Sequence, residues 1–288
     1  MDFHVSPSQL KTFMQCQGRW FFRYHPDFML KIPPNAFMAQ GTSVHKAQEV
    51  NYRQKIKTYK DLPVDDVLDV CHDTFKELAS STDWQGKSPD QFLYQSLQLA
   101  ELYHTVVAPN VQPVAVEEGF ETVVYNVPLV GYIDVVQEGG IVRDTKTTAK
   151  RPKDTAFQES LQVIAYDLGH RVIFGQPPQK LVLDYLVSTK EPYHLPLEGT
   201  VTEKEINRFM FIVKSAIKQM KRILDDWEEN PPMLCEPGFY GCHPQWCGYW
   251  DICHDLLQEK YSVPTLGQDK NRKNKNASLD WLEEGDEE

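Results

Sequence analysis

The sequence predicts an α/β protein: a sheet flanked by helices, with a helical insertion and a cysteine-bearing end. Three observations predict it. Residues 113–147 read as consecutive strands, and a helical stretch, LQVIAYDLGHRVIF, separates them from a further strand at 180–188, KLVLDYLVS. Residues 41–108 instead carry helical apolar spacing, such as Val67, Val70, Cys71, Phe75 and Leu78. Finally, three of the six cysteines crowd into GCHPQWCGYWDICH near the end of the chain.

Taken in order, the chain opens with SPSQ, whose serine-to-glutamine spacing fits a capping box and predicts a helix from Ser6 or Ser8 through Phe22. Helices follow at 41–57, from near Gly41-Thr42, at 64–79 and at 88–108. The strands of 113–147 include a hairpin, Tyr132–Gln137 and Ile141–Thr147 joined by Glu-Gly-Gly. A helix covers 158–174 and a long amphipathic one 202–229. Pro231-Pro232 then introduces the cysteine-rich segment at 235–258. The expected organisation is one domain over 1–260, with an insertion at 41–110, a core at 113–190, and a polar, disordered tail at 265–288.

Of 288 residues, 41% are hydrophobic, enough for a sizeable core, and no run of about 18 apolar residues suggests a membrane span. The first residues lack the basic and apolar blocks of a signal peptide, so a cytoplasmic location is the expectation. In that compartment six cysteines point to metal binding rather than disulfides. The net charge of −11 argues against a protein that coats nucleic acid by broad positive charge. More than half of that charge comes from six acids in the last nine residues, while basic residues cluster at Lys11, Arg19 and Arg23 and at Lys214, Lys218, Lys221 and Arg222. The acidic tail, with Trp281 and Leu282 among its carboxylates, suits either a partner-docking segment or a plain solubilising end. No G-x-x-x-x-G-K-[ST] loop is present, so the chain carries no phosphate loop of that kind.

The hairpin is chemically unusual. Asp134 interrupts its first strand, and Asp144 and Lys146 share a face of the second because side chains alternate with period two. Two carboxylates on neighbouring strands suit a hard divalent cation such as magnesium or manganese, and a lysine beside them can orient a water or stabilise developing charge. An exposed Asp-Lys ion pair on a solvated hairpin would read the same way from these residues alone.

Gly131, Asp134, Asp144 and Lys146 form a G-x-x-D and D-x-K pair that resembles the PD-(D/E)xK nuclease superfamily in its RecB-like version. Three more segments resemble it in the same order: SPSQLKTFMQCQGRWFFRY at 6–24, GTSVHKAQE with His45, and QVIAY with Gln162 and Tyr166. In place of the superfamily's proline stands Ile133, as is common in RecB-like members. The resemblance implies a restriction-endonuclease-like core, a central mixed sheet flanked by helices. It implies that His45, Asp134, Asp144 and the carbonyl of Thr145 hold magnesium or manganese, that Lys146 positions water, and that Gln162 and Tyr166 steady the lysine or the DNA. It also makes Glu117 or Glu118 a candidate site residue.

The spacing of Cys242, Cys247 and Cys253 admits a zinc site if Cys235 is the fourth ligand, or a set of four thiolates if the distant Cys16 joins. One cysteine before the core and three after it resembles AddB-type and CRISPR-associated adaptation nucleases, which implies a [4Fe-4S] cluster on Cys16, Cys242, Cys247 and Cys253. In those relatives the first gap of the tail is shorter, so Cys235 stays open as an alternative to Cys242. Cys71, on an apolar helix face, reads as core. The expected activity is a metal-dependent DNA exonuclease acting on single strands or duplex ends, in phage-type recombination or CRISPR adaptation; the alternative is a silent DNA-binding or assembly subunit of the same fold.

Overall fold

A computed structural model describes residues 3–236, 239, 241–244 and 246–258; the acidic tail at 265–288 lies outside the described residues. The first helix, α1 (Pro7–Gln15), is capped by Ser6, whose hydroxyl accepts from the Gln9 N–H at 3.2 Å, with proline at the first position. Only that half of the expected capping box forms, because Gln9 Oε1 is buried without a hydrogen bond. The one helix expected through Phe22 is in fact two: Cys16, in an extended conformation, ends α1 and starts α2 (Gln17–Tyr24). Beside the break, Gln17 Oε1 accepts from the Met233 N–H and its Nε2 donates to Gln219 Oε1, both at 2.9 Å. The Tyr249 hydroxyl donates to the Leu30 carbonyl at 3.1 Å, so residues far along the chain are tied to the first thirty.

Helix α3 (Ala36–Thr58) begins ahead of the Gly41-Thr42 start because Asn35 caps it, accepting from the Met38 N–H at 3.0 Å. It packs with α4 (Val64–Ala79) and α5 (Pro89–Leu102) through Val44, Tyr52, Val67, Cys71, Leu99 and Tyr103; Cys71 is core, as expected. A π turn and a short 3₁₀ turn carry the chain from Tyr103 to Asn110 into the sheet.

The sheet runs β1 (Pro113–Val124), β2 (Val127–Gln137), β3 (Ile141–Thr148), β4 (Lys180–Val187), β5 (Tyr193–Gly199) in that order. Only β3 and β4 are parallel, and helix α6 (Leu161–Phe174), capped by Ser160, crosses between them. Strand β5 was not legible in advance: it is a half-exposed edge strand that tolerates Pro196. Helix α7 (Glu203–Asp225) starts with a complete capping box between Thr202 and Glu205 and stops short of 229, at Asp226. A short α8 (Trp250–Cys253) lies in the cysteine segment. Helices α1, α2, α6 and α7 cover one face of the sheet, and α3–α5 the other. Among the described residues, no helix is long and apolar enough to cross a membrane.

Two irregularities make room for the site. The β2–β3 ladder contains only Gln137↔Ile141, Val136↔Val142 and Val135↔Arg143, so the strands part just where Asp134 and Asp144 stand. On the other side of β2, Glu117 lies between the pairs Val116↔Val135 and Glu118↔Ile133, opposite Asp134, with φ at +51°. A non-glycine residue there is uncommon and costs on the order of 1 kcal/mol. Across this kink the strands exchange faces: Val116 and Val135 bury against α3–α5, whereas Phe120 and Ile133 bury against α6 and α7. Period-two alternation therefore fails at the place where the carboxylates sit.

Candidate active site

Strand β3 presents Asp144, only 2% exposed, with Lys146 beside it. Oδ1 of Asp144 accepts from Lys146 Nζ at 2.9 Å, Gln162 Nε2 at 3.1 Å and the Tyr166 hydroxyl at 3.0 Å. Lys146 Nζ also donates to Gln162 Oε1 at 2.8 Å. Gln162 and Tyr166 reach the same point because four residues is about one turn of α6, and Gln162 Nε2 donates to the Tyr166 hydroxyl at 2.6 Å. Burial alone would lower the Lys146 pKa, but Asp144 and Asp134 outweigh it and hold the ammonium more firmly protonated than usual. A buried hydrogen-bonded network of this kind is not the exposed ion pair that the hairpin residues alone would have allowed.

Asp134 joins through the Tyr166 hydroxyl, which lies 2.9 Å from its Oδ1. That hydroxyl has one proton and two carboxylates within reach, so it donates to one at a time. Burial, then the Asp144 charge, pushes the Asp134 pKa well above the ordinary carboxylate range. Without a cation, the pair therefore favours a proton on Asp134.

His45 comes from α3, on the opposite face of the sheet. Its Nε2 lies 2.7 Å from the Thr145 carbonyl and its Nδ1 3.4 Å from Asp134 Oδ2. Burial lowers its pKa, and donation from Nε2 to the carbonyl leaves Nδ1 with a bare lone pair facing Asp134. Asp134 Oδ2 has no hydrogen-bond partner; Asp144 Oδ2 has none either, although Lys146 Nζ stands 2.7 Å away as an ion-pair partner. The unpartnered Asp134 Oδ2, the nearby Asp144 carboxylate and the His45 lone pair suit a hard divalent cation. No three His, Cys, Asp or Glu side chains among the described residues are arranged as a finished metal cage. Thr145 O, expected as a metal ligand, is here an acceptor for His45, with its second lone pair left over.

The structure also separates Glu117 from Glu118. Glu117 is half-buried in a groove of about 690 Å³ with His45, Lys46, Glu49, Arg53 and Tyr132, and burial followed by the Glu49 charge raises its pKa. Only the backbone conformation reveals this, and no sequence signal marks it. Tyr185, on β4 opposite Lys146, is a neighbour the sequence did not flag; burial raises its pKa while Lys146 opposes the shift.

At the other end, a cavity of about 300 Å³ is lined by Cys16, Cys235, Cys242, Cys247 and Cys253, all free thiols. The extended break at Cys16 aims α2's first turn into it. Burial, then neighbouring Cys242 and Cys16, pushes the Cys235 thiol up to about 12; burial and Cys16 push Cys253 up to about 11. Soft sulfur donors in excess of four suit a thiolate-bound iron or zinc centre, which would reverse those shifts. Both alternatives for the fourth ligand, Cys235 and Cys242, line the cavity.

A kinked mixed sheet with an Asp-Asp-Lys cluster, a helix supplying Gln and Tyr, and a histidine from the far side define a nuclease-type centre. The model of the PD-(D/E)XK nuclease superfamily matches residues 4–254, and the chain belongs to that superfamily. The fold is similar to the crystal structure named "Putative exonuclease" from Eubacterium rectale, with a TM-score of 0.58 at 12% identity over 98% of this chain and 93% of that one. The structure of SSO0001 matches more loosely, with a TM-score of 0.31 at 14% identity over 62% and 73% of the two chains. No curated protein matches the sequence.

Proposed function

We infer that the protein is a magnesium- or manganese-dependent deoxyribonuclease, an exonuclease on single-stranded DNA or duplex ends. The observation that supports this best is the Asp134–Tyr166–Asp144–Lys146–Gln162 network, five functional groups converging at hydrogen-bond distance in a notch between strands. His45 through Nδ1, Asp134, Asp144 and the free lone pair of the Thr145 carbonyl would hold the cation. Such an ion, when bound, offsets phosphate charge and acidifies a water nucleophile. Lys146, kept protonated by its carboxylate neighbours, would stabilise negative charge developing on such a water or on the scissile phosphate. Gln162 fixes the direction of the Lys146 ammonium, and Tyr166 spaces the two carboxylates. Cys16, Cys242, Cys247 and Cys253 would carry a [4Fe-4S] cluster with a structural role, clamping α2 to the C-terminal segment; structural zinc is the rival occupant.

The test is a cleavage assay on 5′- and 3′-labelled single- and double-stranded DNA with magnesium, manganese or EDTA, alongside Asp144→Ala. Metal-dependent cleavage lost in the variant is the expected result. DNA binding without cleavage by the cluster-loaded wild type would overturn it in favour of a silent DNA-binding subunit.

A further inference from the structure

The geometry points to a base-stacking subsite at Tyr132 that selects unpaired nucleotides; this rests on the deoxyribonuclease reading and names the form of DNA it takes. Tyr132 is two residues before Asp134 on β2, about 6.6 Å along an extended strand. Tyr132 is 65% exposed. A scattered exposed tyrosine is ordinary, but this one lines the groove that also holds His45 and Glu117. Its ring lies over β1: a Cβ built on Gly119, its cross-strand partner, would meet Tyr132 Cε1 at 3.2 Å. The missing side chain at Gly119 lets one edge of the ring pack close over the β1 backbone, while most of the residue stays exposed to solvent.

The first turn of α3 adds Met38, 51% exposed, to the lining of the same groove. The groove lining thus combines an exposed ring with a polarisable thioether, apolar surface on which a flat heterocycle can lie. Lys46 and Arg53 border it, both held by Glu49 at 2.9 and 2.7 Å, where they can face a phosphate backbone. Within a duplex, both faces of a base are covered by its neighbours. Only an unpaired or frayed nucleotide can lay a face on Tyr132, so the groove admits a single strand next to the metal-binding carboxylates and reads no sequence.

The experiment measures binding in EDTA, without cleavage, by fluorescence anisotropy of a short labelled single-stranded oligodeoxynucleotide. The wild type is compared with Tyr132→Ala and Tyr132→Phe, and each is also tested on an all-abasic oligomer of the same length. Tyr132→Ala should weaken binding about fivefold to a hundredfold, the range for one stacked base, while Tyr132→Phe stays within about twofold of wild type. On the abasic backbone all three proteins should bind alike. Wild-type affinity in Tyr132→Ala, or the same loss on the abasic oligomer, would overturn the subsite. The parallel cleavage assay keeps the two readings apart: a base-dependent Tyr132 effect without metal-dependent cleavage retains the subsite and removes the nuclease, and cleavage without the Tyr132 effect does the reverse.

Discussion

Gly169→Ala opposes two well-known effects. Gly169 lies inside α6, where alanine is the better helix former by about 1 kcal/mol, so propensity alone predicts stabilisation. The packing predicts the opposite. A Cβ at 169 would stand 2.5, 2.7 and 2.8 Å from three carbons of the Phe120 ring, against about 3.5–4.0 Å for ordinary contact, so ring and helix must part by about 1 Å. The ring cannot retreat, because it is 5% exposed and already lies against Gly131, where a Cβ would meet it at 2.6 Å. Overpacking of this kind costs about 1–3 kcal/mol, and three contacts against a trapped ring put it at the upper end. The net loss is about 2 kcal/mol, a fall in Tm of roughly 4–8 °C by thermal unfolding. In a Phe120→Ala background, itself destabilised by about 3–5 kcal/mol, the same substitution should turn neutral or stabilising, a coupling of about 2–3 kcal/mol. Because α6 carries Gln162 and Tyr166, a shift of about 1 Å should also lower cleavage by about a hundredfold in Gly169→Ala. An unchanged or raised Tm in the single variant, or an equal loss in both backgrounds, would refute the wedge.

Four further substitutions probe the carboxylate and cysteine centres. Asp134→Asn should stabilise the protein in EDTA by about 0.5–2 kcal/mol, since it removes a buried acid that must take up a proton beside Asp144, and it should abolish the rise in Tm that magnesium or manganese gives the wild type. Tyr166→Phe removes the hydroxyl shared by Asp134 and Asp144 and should reduce metal affinity or cleavage about 10–100-fold with the fold intact, measured by metal titration of activity beside circular dichroism. Cys16→Ser and Cys247→Ser should each lower iron content and the broad visible absorbance near about 400 nm expected of a thiolate-bound cluster. Stoichiometric zinc in an anaerobic, colourless wild type would instead assign the site to zinc.

What the sequence revealed was the chemistry carried by residue type and order; what it concealed depended on backbone geometry. Asp134, Asp144 and Lys146 stood out by strand position and residue type, Gln162 and Tyr166 by the resemblance to the family's Q-x-x-x-Y helix, and the structure brings all five together. His45 approaches from the other face of the sheet, a meeting that only the folded packing of α3 on β3 creates. Glu117 could not be told from Glu118, since its orientation depends on a positive φ that no side-chain pattern announces. Strand β5 was hidden by its proline and by the weak alternation of a half-exposed edge. The break at Cys16 was missed because QCQGRW is compatible with a continuous helix, and the interruption comes from tertiary partners such as Met233 on Gln17.

That last contact governs the order of events at the ribosome. Gln17 leaves the ribosome some two hundred residues before its partners Gln219 and Met233. At a synthesis rate of roughly 5–20 residues per second, the N-terminal helices wait on the order of 10–40 s with Trp20, Phe21 and Phe22 lacking part of their final cover. The nascent chain thus carries a partly uncovered aromatic helix through that interval. Until then the aromatic face of α2 is a segment that a chaperone shielding exposed aromatic residues would recognise.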